Sequence, residues 1–152
     1  MTIAPILRSI EVKATPARAF DLFMNHMAQW WPAGRTVGEF PHVAIVVEPR
    51  VGGKWFERDA EGRETQWGHV LAWQPPGRAL LAWQLNSKWT FDPDFATELE
   101  LTFEPAQAGT LVTLRHSALE RFGADAASMA EKLGGGWPTH LNQFAEYANA
   151  QS

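Results

Sequence analysis

The stretch VGGKWFERDAEGRETQWGHVLAWQPPGRALLAWQL, residues 51–85, decides the fold. It carries four of the eight tryptophans, Trp55, Trp67, Trp73 and Trp83. Gly52-Gly53 opens a strand, Asp59-Ala60-Glu61-Gly62 turns it, and Pro75-Pro76-Gly77 turns the next pair. The stretch therefore reads as an antiparallel meander. By strand parity Trp55 and Glu57 share one face. Trp67, His69, Leu71 and Trp73 share another, opposite Gly68, Val70 and Ala72, and Leu81, Trp83 and Leu85 align in the strand after. Each aromatic ring removes on the order of 150–250 Å² from water. A sheet face made of indoles needs something bulky opposite it, whether a packed helix, a ligand or both.

Upstream, Ile6 to Val12 alternates as a first strand. Thr15-Pro16 then supplies an N-cap and a first-turn proline, so a helix is predicted to begin there. Its apolar stripe, Phe20, Phe23, Met24, Met27 and Trp31, ends at Trp31-Pro32 and reads as core. The alternative is that Met27, Trp30 and Trp31 form one lip of a cavity. Residues 32–41 read as a loop, and Val43 to Val47 as a short strand.

Downstream, residues 86–95 form a second loop carrying Trp89 and Phe91. Leu99, Leu101 and Phe103 alternate with Glu98, Glu100, Thr102 and Glu104, a half-buried strand with its acids in water. Val112, Leu114 and His116 align in the next strand. A helix is predicted over Ala126 to Leu133, interrupted by Gly134-Gly135-Gly136. A second starts at Pro138, and Trp137, Leu141, Phe144, Ala145 and Ala148 form its stripe. The order is strand, helix, six strands and a long helical segment, an α+β arrangement. Only the C-terminal helix is long enough to cover the sheet's apolar face, and bulky indoles and the glycine run leave a pocket between the two.

Composition sets the outer bounds. The 152 residues, 45% apolar and 20% charged, fit one globular domain spanning 1–152. With no cysteine there is no disulfide framework and no thiolate chemistry. A net charge of −4 argues against nucleic acid. The first twenty residues lack a basic start followed by a long apolar run, and no stretch approaches the ~20 apolar residues of a membrane span. A cytoplasmic protein is expected.

GGKWFER, WGHVLAWQPPGRALLAWQL, FDPDFATELELTFEP, LRHSALERFGADA and GGGWPTHL together resemble the stand-alone bacterial members of the SRPBCC superfamily (START or Bet v 1-like). More narrowly, they resemble homologues of the activator of the 90-kDa heat-shock protein's ATPase, the AHSA-like family, from Ile6 to Tyr147. The resemblance implies a helix-grip fold: a curved antiparallel seven-stranded sheet around a long C-terminal helix, short N-terminal helices and an apolar cavity. It implies no single reaction, because the family spans ligand carriers, cyclases and members without assigned activity.

Motifs of defined chemistry are missing from the sequence. There is no GxGxxG, GxxxxGK[ST] or GxSxG, and His26, His42, His69, His116 and His140 are scattered without metal-ligand spacing. No metal and no cofactor is expected. The expected cavity wall is aromatic, from Trp31, Trp55, Trp67, Trp83 and Trp137. Leu101, Phe103, Leu114, Leu141 and Phe144 line it further. Three polar groups, Glu57, His69 and His116, are expected among those rings. They serve either as acid–base or anchoring groups, or as structural groups, Glu57 paired with a cation and each histidine satisfied at a strand end. The function expected is binding of a small hydrophobic or aromatic ligand. The alternatives are a cyclase, isomerase or hydrolase using the same cavity, and a co-chaperone-like interaction protein using exposed Trp30-Trp31 or Trp89. A homodimer is left open.

Overall fold

Thr15 and Pro16 start the first helix in the way their chemistry dictates. The Thr15 Oγ1 accepts the Arg18 backbone N–H at 3.3 Å, and Pro16 occupies the first turn, where no N–H is needed. In the computed structural model, which describes residues 2–32 and 34–151, this helix (α1, Pro16–Asn25) follows strand β1 (Ile6–Val12). A break at His26 separates it from a short α2 (Met27–Trp30). Strands β2 (His42–Val47), β3 (Lys54–Asp59), β4 (Glu64–Gln74), β5 (Arg78–Trp83), β6 (Thr97–Pro105) and β7 (Thr110–Ser117) follow. A 3₁₀ stretch (Leu119–Asp125) leads into the long α3 (Ala126–Ala150).

The seven strands form one antiparallel sheet in the order β1-β7-β6-β5-β4-β3-β2, curled into a half-barrel. The helices fill its inner face. Phe20 and Phe23 of α1 meet Phe103 of β6 edge to face at 5.2 and 5.8 Å, and Phe23 meets Phe144 of α3 at 4.9 Å. Leu99, Leu101, Phe103, Val112 and Leu114 are buried behind them, so the parity read for β6 and β7 holds. Removing each such side chain from water contributes about 1.5–3 kcal/mol.

Two expectations fail, for physical reasons. The glycine run does not interrupt the C-terminal helix; α3 continues through Gly134, Gly135, Gly136 and Pro138. Pro138 has no N–H to give the carbonyl four residues back. That carbonyl, Gly134 O, instead accepts from Arg8 Nη2 at 3.1 Å. Gly134 also lies against β1, where a Cβ would stand 3.3 Å from the same guanidinium.

The second failure is the parity of β4. Its register shifts twice, once against β3 at Trp55/Phe56 and once against β5 at Val70/Ala72. Each β-bulge adds one residue and turns the following side chains over. Trp67, Val70 and Trp73 therefore face inward, while Leu71 is solvent-exposed and His69, in register with Lys54 and Ala82, lies on the outer face. Gly68 makes the first bulge workable. A Cβ there would sit 1.8 Å from the Ala82 carbonyl oxygen.

Candidate functional site

At the Trp83 end of the half-barrel, α3 and the sheet stay apart and enclose a cavity of about 500 Å³. Trp31, Trp67, Trp83, Trp89 and Trp137 supply aromatic wall. Four of their indole N–H groups donate to fixed acceptors: Trp31 to Arg35 O (3.0 Å), Trp67 to Glu57 Oε1 (2.9 Å), Trp83 to Leu85 O (3.1 Å) and Trp137 to His116 Nδ1 (3.2 Å). Edge-to-face contacts join the rings, as between Trp83 and Trp137 at 5.6 Å. A ring held by both its N–H and its edge cannot rotate inward to fill the gap.

Glu57 lies behind this wall rather than in it. It is 2% exposed, and its carboxylate accepts from the Trp67 indole, from the Val37 backbone N–H at 2.6 Å and from the Thr36 hydroxyl. Among the described residues Glu57 has no cationic partner; neutral donors satisfy it. Glu57 thus ties one wall ring to the loop that forms the cavity's rim.

His116 is also behind the wall and fully buried. Because the Trp137 indole donates to its Nδ1, its Nε2 carries the hydrogen and donates to Thr97 Oγ1 at 2.8 Å. Burial pushes its pKa down to about 3, so the ring is neutral and both nitrogens are committed. His69 is removed from the cavity by the bulge at Trp67, and its Nδ1 contacts Gln84 Oε1 at 2.7 Å on the outer face.

Of the residues expected at the wall, Trp31, Trp67, Trp83 and Trp137 stand there. Trp55 is wholly buried behind Trp67 and Trp83, at 5.4 and 5.8 Å. Leu101, Phe103, Leu114, Leu141 and Phe144 belong to the packed core. Trp30 is 2% exposed and offers no surface patch, and Met27 is buried with it; of the proposed lip only Trp31 reaches the cavity.

The residues not anticipated come from two loops and one helix face. Arg35, Thr36 and Val37 arrive from the loop after α2, Leu85 and Trp89 from the β5–β6 connection, and Lys132, Leu133, Gly136 and His140 from α3. Leu133 and His140 stand four residues before and three after Trp137 on one helical face; the loop residues carry no periodicity to find them by. Trp89 has φ 58, a left-handed conformation uncommon for a bulky side chain, and is 42% exposed at the mouth. Arg35 and Lys132 are exposed cations with no ion pair among the described residues. Among the described residues no cluster of three or more His, Asp or Glu could hold a metal ion, and no helix is long and apolar enough to cross a membrane.

His140 is the one titratable group in the aromatic wall itself. Its Nδ1 bonds the Gly136 carbonyl at 2.9 Å, and its ring stands edge-on to Trp31 at 4.4 Å and to Trp137 at 5.2 Å. Burial lowers its pKa, with a smaller push in the same direction from the Arg35 charge and an opposing pull from the Gly136 carbonyl.

The family model described as Activator of Hsp90 ATPase homolog 1-like protein matches residues 13–149. The chain belongs to this family. Among solved structures, this Activator of Hsp90 ATPase homolog 1-like chain is 34% identical to Txn09, an anthrahydroquino-gamma-pyrone synthase solved in complex with SUM. That match covers 95% of this chain and 97% of that one, with a TM-score of 0.67. It is 27% identical to CalC, a self-sacrificing resistance protein from Micromonospora echinospora, over 98% and 96% of the two chains (TM-score 0.75). The Aha1 dimer from Colwellia psychrerythraea, 16% identical over 97% of each chain with a TM-score of 0.66, shares the fold. No curated protein matches the chain.

Proposed function

We propose that this protein binds a planar aromatic small molecule in the cavity between the sheet and α3. The observation that carries the reading is the combination of about 500 Å³ of space with indole walls held open by their own hydrogen bonds. Such a volume lies within the roughly 300–1,000 Å³ of small-molecule sites. Flat indole surfaces favour flat ligands, and the unpaired Arg35 and Lys132 at the mouth favour ligands with anionic oxygens. Txn09, whose name describes work on a polycyclic hydroquinone, supports the same ligand class.

A second reading, a cyclase-type enzyme in the same cavity, rests on His140. A neutral imidazole in an aromatic wall is the group that proton transfer to or from a phenol or enol would use.

Titration with 2-naphthol, followed by tryptophan emission and by melting temperature, tests the binding reading. Saturable quenching with a concentration-dependent rise in Tm is expected. Quenching that never saturates, with an unmoved Tm, would overturn it.

A further inference from the structure

The polar groups facing the cavity are few, and nearly all are spent. The indole N–H groups of Trp31, Trp67, Trp83 and Trp137 are donated to the protein, and the Thr36 hydroxyl is donated to Glu57. What remains is the donors Arg35, Lys132 and the Trp89 indole, the oxygen of the Thr36 hydroxyl on the rim loop, and, in the aromatic wall itself, a single side-chain lone pair. That lone pair belongs to His140. With Nδ1 bonded to a carbonyl oxygen, Nδ1 must carry the hydrogen, so Nε2 is an acceptor. It has no hydrogen-bond partner among the described residues. The i, i+4 bond to Gly136 and the two flanking indoles fix the ring's plane, so the acceptor is presented in one direction.

We propose that His140 Nε2 accepts a hydrogen bond from a hydroxyl of the bound aromatic molecule, so that the cavity selects phenols and enols over the same rings without one. The inference rests on the binding reading above and adds to it a named specificity group. The partition is complementary: the hydroxyl hydrogen goes to His140, while oxygens bearing negative charge meet Arg35 and Lys132. A buried acceptor left unpaired penalises a ligand that lacks the hydroxyl, which gives selectivity beyond shape.

The charges around His140 keep the acceptor available. Burial disfavours an imidazolium, and the Arg35 charge on the rim loop acts in the same direction. Glu57, the acid on the sheet side, is turned to the Trp67 indole and the rim loop. Neutral Nε2 is therefore the form present at pH 7. Acidification through the lowered pKa protonates it, converts acceptor to donor and should remove the preference for a hydroxyl.

The experiment compares 2-naphthol with naphthalene by tryptophan quenching, in the native chain and in His140→Phe, which keeps an aromatic ring between Trp31 and Trp137. The ratio of the two dissociation constants should shift by roughly tenfold against 2-naphthol in the variant, the effect of one hydrogen bond. In the native protein, ¹⁵N NMR should show the His140 Nε2 resonance moving upfield with 2-naphthol and not with naphthalene. That measurement decides alone if His140→Phe does not fold. An unchanged ratio, or an Nε2 resonance indifferent to 2-naphthol while both probes quench, overturns the proposal and leaves the binding reading standing. If neither probe binds, the binding reading fails and this inference falls with it.

Discussion

Beneath α1 the space between sheet and α3 is closed mainly by phenyl rings, with Trp30 and Trp73 packed at their edge, whereas around Gly136 the same space is walled by indoles and stays open. Both ends draw residues from the same sheet and the same helix. At the closed end Phe20, Phe23, Phe103 and Phe144 have no polar atom, so they settle wherever edge-to-face contact is best. At the open end the indoles of Trp31, Trp67, Trp83 and Trp137 donate to Arg35 O, to Leu85 O and, behind the wall, to Glu57 and His116. The difference shows how a cavity survives the pressure to pack: its walls are fastened by obligations that an apolar ring does not have.

Acid should break the comparison most strongly. His116 takes a proton at about 3 when folded and near 6.5 when unfolded. Its contribution to stability is therefore complete above pH 6.5 and is lost progressively as pH falls toward 3. At 1.36 kcal/mol per pKa unit the loss across that window is roughly 5 kcal/mol. Protonation also removes the acceptor of the Trp137 indole, so tryptophan emission should change before far-UV circular dichroism does. His116→Gln, which can still accept and donate, should flatten the pH dependence; an equally steep profile in that variant would place the acid sensitivity elsewhere.

Phe144→Ala tests the closed end. It should cost about 3–5 kcal/mol in denaturant melts and leave 2-naphthol affinity within about twofold, since the ring borders Phe23 and Trp30 rather than the cavity. A large loss of affinity would show that the two ends are one packing unit.

Glu57→Ala tests the open end. It orphans the Trp67 indole, the Val37 N–H and the Thr36 hydroxyl, at an expected cost of about 2–3 kcal/mol. Here affinity should fall by at least tenfold, because wall and rim loosen together. Stability lost without affinity would reduce Glu57 to a structural group alone.

The smallest effect on stability is expected at Trp89. Replacement by glycine relieves a left-handed φ of 58 and should leave stability unchanged or raise it by up to about 1 kcal/mol. The same change removes a ring from the mouth and should weaken 2-naphthol binding. Stability lost instead would mean that its contact with Trp83 outweighs the strain.

What could be read from the residues alone follows the same division. Turn signals such as Pro75-Pro76-Gly77 and the strict alternation around Leu101 are local, and the strands they mark are present. The bulges of β4 were not legible, because Trp67 turns inward to meet Glu57 and Gly68 yields to the Ala82 carbonyl, contacts set by pairing across strands. Tryptophan content marked four wall residues, since indoles on an inner face have few other uses. Arg35 and Trp89 sit on irregular loops whose positions depend on the Glu57 carboxylate and on the Asn86 side chain, which caps the Lys88 and Thr90 N–H groups. His140 was within reach, three residues after Trp137 on one helical face, but only the Gly136 bond shows which nitrogen is free.

The middle of α3 has a consequence for how the protein holds its shape. Gly134, Gly135, Gly136 and Pro138 together forfeit on the order of 6 kcal/mol of intrinsic helix preference relative to alanine. An isolated peptide of residues 126–150 would therefore be coil at its centre. In the intact chain those turns are helical because Arg8 grips Gly134 O from the far edge strand and because Trp137 is moored to His116. The wall of the cavity thus owes its secondary structure to the half-barrel around it, so whatever loosens β1 should unwind the helix beside the cavity first.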